Sequence, residues 1–306
     1  MLAVVGTIPE IGFPLLEGKV TLINDRICIQ GRQVTVNRGT PALMAAAIRV
    51  GEVFDQPGPV GYVAGDIGVG DGSRLLYEHV RRCLGMSDAT TLTFHYTLPD
   101  VDWHNRILFA VEEMTPRPIL IADAGFMYAA KMSGQAAAYD LFTPDVGELA
   151  FLADEAAPHP FYTRGFILHE ENQVPDLVAR AYAHDNASRF LLVKGKKDYV
   201  ADVHGIKTTV DSPMEEALEA IGGTGDTLTG IVSALIDSGL DVEEAAMLAA
   251  EANRLAGSYA RPTPATQVME IVRHIPRAIE EVFQERRMPV CGVASGTHIA
   301  NRRNFV

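Results

Sequence analysis

From residue 60 onward, short apolar runs alternate with amphipathic ones, and this alternation restricts the fold more than any other feature of the chain. Residues 60–64, 91–96, 119–122, 140–143 and 190–193 read as strands, being short, β-branched or aromatic, and bounded by turn formers. Helical spacing predicts helices over about 73–83, 105–113, from 126, and over 147–153 and 175–184. Strands separated by helices pair in parallel and bury both faces, so the expectation is an α/β fold with helices on both sides of a mainly parallel sheet.

The ends of the chain read differently. Residues 2–6 form an opening strand, and three β-prone runs (20–23, 27–29, 34–36) are parted by Asn24-Asp25 and Gly31-Arg32. They predict a meander over 18–36, either a small β lid or an edge sheet. Thr40-Pro41 predicts a helix entry with a hydroxyl cap and a proline in the first turn, the helix stopping at Gly51 or just beyond. A hairpin is expected from 199–203 and 206–210 around His204-Gly205, and helices over 224–238, 241–259 and 266–286. One α/β domain over 1–287 is expected, followed by a tail of little periodicity over 288–306.

Composition removes several functions. A net charge of −13 argues against nucleic-acid partners and anionic membrane surfaces, both of which need a basic face. Cys28, Cys83 and Cys291 are odd in number and far apart, which argues against disulfides and a zinc site. The nine histidines show no His-x-x-x-His or comparable metal spacing, and there is no Gly-x-Ser-x-Gly elbow. No apolar run nears about 18 residues and no basic leader opens the chain, so the expectation is a soluble cytoplasmic protein.

The chemistry concentrates in Gly222-Gly223-Thr224-Gly225-Asp226-Thr227, which runs directly into an apolar helical face. Glycines let the backbone approach a ligand, and a helix N-terminus offers unpaired N–H donors and a positive dipole end. Together they predict an oxyanion site with Asp226 in the first turn beside it, against the plainer reading of an acid that stabilises a helix start.

Four more segments follow strands, where open parallel sheets collect ligands. Asp123 reads as a substrate or metal acid, or as a helix cap. Asp145 and Glu148 read as a pair able to hold magnesium through waters, or as a capping pair. Lys194-Gly195-Lys196-Lys197-Asp198 reads as a phosphate contact or an exposed turn, and Gly65 to Gly72 as a substrate-side loop or a plain turn. Asp100 and Asp102 read as solvated loop acids.

In their order these motifs resemble the ribokinase superfamily over roughly residues 1–285. The stretch from Ala220 to Gly239 resembles its anion hole and catalytic aspartate, and 143–148 the segment whose Glu organises magnesium. Arg38 to Ala42 and 61–72 resemble its substrate-side glycine motifs. Residues 194–202, with the Gly-Gly-Thr-Gly-Asp segment, are also similar to ATP- or ADP-dependent NAD(P)H-hydrate dehydratases. Asp145 stands where the kinases have Asn, and Asp145-Val146-Gly147-Glu148 where the dehydratases have His-Pro-Gly-Glu.

The resemblance implies a three-layer ribokinase-like fold and ATP (or ADP) with Mg²⁺ as cofactors. It implies Asp226 as base, Gly223, Thr224 and Gly225 as anion hole, and Gly222, Lys194 and Gly195 toward the nucleotide. Gly39, Thr40, Asp66, Asp71 and Asp123 would face a small-molecule substrate under the meander, and Glu148 and Asp145 the metal. A sugar or small-metabolite kinase is the first expectation, a hydrate dehydratase the alternative, and a non-catalytic nucleotide binder a further one. Lid-mediated dimers in the superfamily imply a homodimer through 18–36.

Overall fold

Every residue of β1 (Leu2–Ile8) is buried, and a strand apolar on both faces needs cover on both. In the computed structural model, which describes residues 1–155, 174–286 and 288, β1 lies inside a single sheet of eleven strands. In chain order the others are β2 (Leu16–Ile23), β3 (Arg26–Ile29), β4 (Arg32–Thr35), β5 (Val60–Gly65), β6 (Thr91–His95) and β7 (Ile119–Ala122). They continue with β8 (Leu141–Phe142), β9 (Phe190–Val193), β10 (Asp198–Asp202) and β11 (Gly205–Val210). The spatial order is β11-β10-β9-β8-β7-β6-β1-β5-β2-β3-β4. From β5 to β9 all neighbours are parallel, and both flanks are antiparallel.

Alternate residues of β1 enter two separate cores. Leu2 and Val4 pack with α1 (Thr40–Val53), α7 (Thr224–Asp237), α8 (Val242–Tyr259), α9 (Val268–Val272) and α10 (Ile275–Glu285). Ala3 and Val5 pack with α2 (Asp71–Cys83), α3 (Val101–Glu112), α4 (Ala124–Met132), α5 (Val146–Ala153) and α6 (Val174–Ala183). The fold is therefore the expected mixed α/β arrangement, a large and mostly parallel sheet between helices.

The α1–α7 contact sets up the site. A Cβ on Gly230 would stand 2.2 Å from the Leu43 carbonyl oxygen. Only glycine permits that approach, which brings the first turns of α1 and α7 side by side.

One open reading is decided and three expectations are corrected. The 18–36 meander is an edge extension, β2 pairing first with β5 and then with β3, and Val20, Ile27, Ile29 and Val34 are buried in the α1-side core. Thr40 is not the cap of α1; Gly39 holds that position without a side-chain bond, and the Thr40 hydroxyl turns to His95. Residues 266–286 form two helices, because Pro276 lacks an N–H and opens α10 instead of continuing α9. Asp100 caps α3 by accepting from the Trp103 amide at 3.0 Å, and Asp102 lies in the first turn of that helix.

Among the described residues, no helix is long and apolar enough to cross a membrane. The 288–306 tail, apart from Met288, lies outside the described residues.

Candidate active site

Gly223 caps α7 with φ 101°, and its side-chain-free position is obligatory on two counts. A Cβ there would meet Arg38 Cα and Val268 at 3.1 Å and Asn37 O at 3.2 Å, in a left-handed conformation that L residues avoid. No side chain caps this end of the helix, so the amides of Thr224, Gly225 and Asp226 have no intrahelical acceptor. From the other side α8 pins the turn: Asn253 donates to the Thr224 carbonyl (3.1 Å) and accepts from the Thr227 hydroxyl (2.7 Å).

Asp226 is buried, and each of its two oxygens has one partner. Its Oδ2 accepts from the Gly39 amide at 2.5 Å, and its Oδ1 faces His95 Nε2 at 3.1 Å. His95 Nδ1 lies 3.0 Å from the Thr40 hydroxyl, so Thr40, His95 and Asp226 form one chain through the α1–α7 crossing. Burial works to raise the Asp226 carboxyl. The His95 hydrogen bond, the charges of His95 and Lys194 and the Gly39 amide outweigh it and hold the group below the usual carboxylate range. The Asp226 carboxyl is thus ionised at neutral pH, and its partners lie outside its own helix.

Beside it lies a second buried pair. Lys194, one residue past β9, donates to both oxygens of Asp123, one residue past β7, at 3.0 and 2.9 Å. Thr229 Oγ1 donates to Asp123 Oδ2 at 2.6 Å. Asp123 holds the cap position of α4 without a capping bond; its carboxylate goes to Lys194 and Thr229 instead of the helix end. Burial would lower Lys194, but Asp123 and Glu148 outweigh it and raise the ammonium above its ordinary value. Its chain lies over Gly225, 3.5–3.8 Å from where a Cβ would be. The ammonium therefore sits at the open end of α7.

Asp226, Asp123, Lys194 and the Gly223 to Gly225 turn line a cavity of about 860 Å³, together with Tyr96, Asp145 and Glu148. Tyr96 and Ala124, just past β6 and β7, hold φ of 48° and 50°, and such backbone strain in non-glycine residues gathers at functional sites. The 194–198 turn is clamped from α8: Arg254 pairs with Asp198 at 2.7 Å and donates to the carbonyls of Gly195 (3.0 Å) and Lys196 (2.8 Å).

Asp145 and Glu148 do form the capping pair. The Glu148 amide donates to Asp145 Oδ1 at 2.7 Å, and the Asp145 amide to Glu148 Oε2 at 2.8 Å. Tyr128 donates to Glu148 Oε1 at 2.8 Å. Capping does not exhaust them, because Asp145 Oδ2 stands outside the pair and both residues line the cavity. Desolvation, with the charges of Asp145 and Asp123, pushes the Glu148 carboxyl up to about 8.

A carboxyl whose folded value is raised binds more protons folded than unfolded, so it lowers stability as pH rises through that window. Between its ordinary 4.5 and about 8, the melting temperature of the wild type is expected to fall more steeply than that of Glu148→Gln. Parallel curves in thermal melts across that range would refute the assignment.

Asp66 and Asp71 lie outside the cavity lining. Asp66 Oδ1 accepts from the amides of Gly68, Val69 and Gly70 at 2.9–3.0 Å, and Oδ2 from Ser73 N and Oγ at 2.9 and 2.7 Å. Five donors leave it nothing for a substrate; it shapes the loop that starts α2. Asp71 is an exposed first-turn acid of α2. The expected substrate face through these two is therefore not formed. Nor do meander residues line the cavity. Gly39 and Thr40 serve Asp226 and His95 instead, and Gly222 lies against the Arg38 side chain.

Sequence reasoning missed His95, Tyr96, Thr229 and Arg254. The chain matches the Carb_kinase family, described as NAD(P)H-hydrate dehydratase, over residues 98–277. It is 40% identical over 243 residues to an uncharacterized protein of Methanocaldococcus jannaschii, covering 79% of this chain and 100% of that one. To the bifunctional NAD(P)H-hydrate repair enzyme of Pyrobaculum aerophilum it is 26% identical over 257 residues. That match covers 79% of this chain but 48% of the enzyme, so the chain spans about half the length of this relative.

In fold it is similar to a ribokinase-like superfamily protein of Enterococcus faecalis, at a TM-score of 0.53 and 14% identity, covering 92% and 87% of the two chains. With more than half its length under the family match, the chain belongs to the Carb_kinase family and carries its ribokinase-like fold.

Proposed function

We propose that this protein transfers a phosphoryl group from ATP or ADP to a hydroxyl of a small metabolite, with Asp226 as general base. The observation that carries the reading is the joint placement of Asp226 and the Lys194 ammonium at the unpaired amides of α7, on the wall of one cavity. The amides and the ammonium would hold the transferring oxygens and stabilise the charge that develops on them. Asp226 would take the hydroxyl proton as its oxygen attacks phosphorus and the nucleotide leaves. A carboxylate has about four lone-pair sites, and Gly39 and His95 use two.

The residues fit a hard divalent cation. Asp123, Asp145, Glu148 and Asp226 line the cavity together with the Lys194 ammonium, and a polyphosphate entering beside these carboxyl groups needs further positive charge. Mg²⁺, held through waters by Glu148 and Asp145, would supply that charge compensation.

The family similarity points first to hydrated NAD(P)H as the acceptor, in which case loss of the new phosphate regenerates the reduced ring. Tyr96, half exposed on the cavity wall beside Asp226, offers an aromatic face to such a ring. A kinase with a stable phosphoester product is the second reading. The absence of the dehydratase His-Pro-Gly-Glu sequence at 145–148 favours it.

One assay separates the two. With ATP or ADP and magnesium, hydrated NADH should regain the absorbance of reduced nicotinamide if the first holds. A phosphorylated product from a metabolite panel marks the second. A nucleotide bound but never consumed would overturn both.

A further inference from the structure

A second cluster lies apart from this chemistry. His79 and Cys83 are one turn apart on α2, at the i, i+4 spacing that stacks two side chains on one helix face. Glu17 on β2 stands opposite Tyr62 of β5, and this antiparallel register brings its carboxylate to the same point. His79 Nε2 lies 2.6 Å from Glu17 Oε2 and 3.6 Å from Cys83 Sγ, and the three donor atoms all fall within 4.8 Å of one another. None of the three residues lines the cavity that holds Asp226.

We infer that Glu17, His79 and Cys83 form a binding site for a divalent transition-metal ion, zinc first among them. The argument is geometric. Tetrahedral zinc with Zn–S of about 2.3 Å and Zn–N of about 2.0 Å fixes the S···N separation near ~3.5 Å, and the cluster already holds 3.6 Å. The oxygen–nitrogen separation would open to about 3.4 Å on the same geometry, a side-chain movement of less than one ångström. One imidazole nitrogen faces both the carboxylate and the sulfur, so the three donors converge on a single position.

The donor set is also selective. Sulfur with imidazole favours zinc and its neighbours, whereas magnesium and calcium take oxygen alone. Carboxylate and thiolate together would balance a dication. The His79 and Glu17 side chains are 23% and 39% exposed, which leaves an entry path and a fourth position for water. A bound ion would clamp α2 to the edge strand β2.

The test uses the full chain stripped with a chelator, then titrated with Zn²⁺ alone and separately with Co²⁺. The wild type should bind zinc stoichiometrically, gain thermal stability from it, and give a cobalt spectrum with a thiolate charge-transfer band and strong tetrahedral visible absorption. Cys83→Ser should lose that band and the thermal gain. His79→Ala and Glu17→Gln should weaken binding by at least about tenfold, the smallest change seen even when an outer partner of a metal ligand is lost.

A variant with Cys28→Ser and Cys291→Ser should behave as the wild type. Unchanged melting of each variant in chelator shows that folding is intact, and the separate substitutions at 17 and 79 preserve the test should Cys83→Ser misfold. No zinc binding, binding undiminished by these substitutions, or a cobalt complex without the thiolate band would overturn the site.

Discussion

Asp226→Asn should bind nucleotide as the wild type does and lose about 10²–10⁴-fold in kcat, the range for removal of a positioned general base. The substitution keeps the shape of the side chain, and the surrounding hydrogen bonds can adapt to it. Its amide oxygen can still accept from the Gly39 amide, while its NH₂ donates to His95 Nε2 once the ring proton moves to Nδ1 and donates to Thr40. The fold therefore has no reason to fail, and the loss belongs to chemistry. Binding is measured by calorimetry with ATP and magnesium, and turnover by nucleotide consumption with the acceptor found active. Full turnover in this variant would remove Asp226 from the reaction.

The His95 contact gives this prediction a second edge. His95 touches Asp226 through Nε2 and sits in the α1–α7 seam, so it holds the Asp226 carboxylate without reaching the cavity wall itself. Nothing in the sequence marks it. It ends an otherwise ordinary apolar strand, and its partners, Thr40 and Asp226, are 55 and 131 residues away. A lone histidine there reads as core until the neighbouring strands and the Gly230 contact are known.

The Gly222–Thr227 loop was legible for the opposite reason. Its chemistry is local: glycines, a helix start and an acid within six residues. The strands from 60 to 193 were legible through their apolar runs, with boundaries shifted by a residue or two. Helix starts were read late, at 105 for α3 and 126 for α4, because Val101 to His104 and Ala124-Gly125 are too mixed or too small to show an apolar helical period.

Asp66 shows the limit of motif reading. A glycine-rich loop with an acid looks the same whether the carboxylate faces a ligand or collects its own amides, and only the five donors around it decide. Asp123 and Lys194 were each marked as ends of strands, but not as partners. β7 and β9 flank β8, and the nearness of the residues past their ends shows only once that strand order is known.

That pair is buried on both sides, so breaking it should be costly. Lys194→Met is expected to cost about 3–5 kcal/mol, because it leaves the Asp123 carboxylate buried without its cation. Thr229 would still donate to one oxygen, and His95 Nε2 stands 3.7 Å away, but neither replaces a bidentate ammonium. An exposed ion pair would be worth no more than about 1 kcal/mol, so the size of the loss reports how dry the site is.

Urea denaturation measures it: the midpoint should fall with the slope unchanged, since the surface exposed on unfolding stays the same. Adding Asp123→Leu to Lys194→Met should recover much of the loss, because an apolar pair no longer strands a charge. A double-mutant cycle then gives the coupling directly. A loss below about 1 kcal/mol, or no recovery in the double variant, would mean that water reaches Asp123 and that the ammonium is free to leave it. The double variant should still fail to bind nucleotide: its fold restored, it lacks the ammonium at the open end of α7, which separates what Lys194 does for stability from what it does for the phosphate.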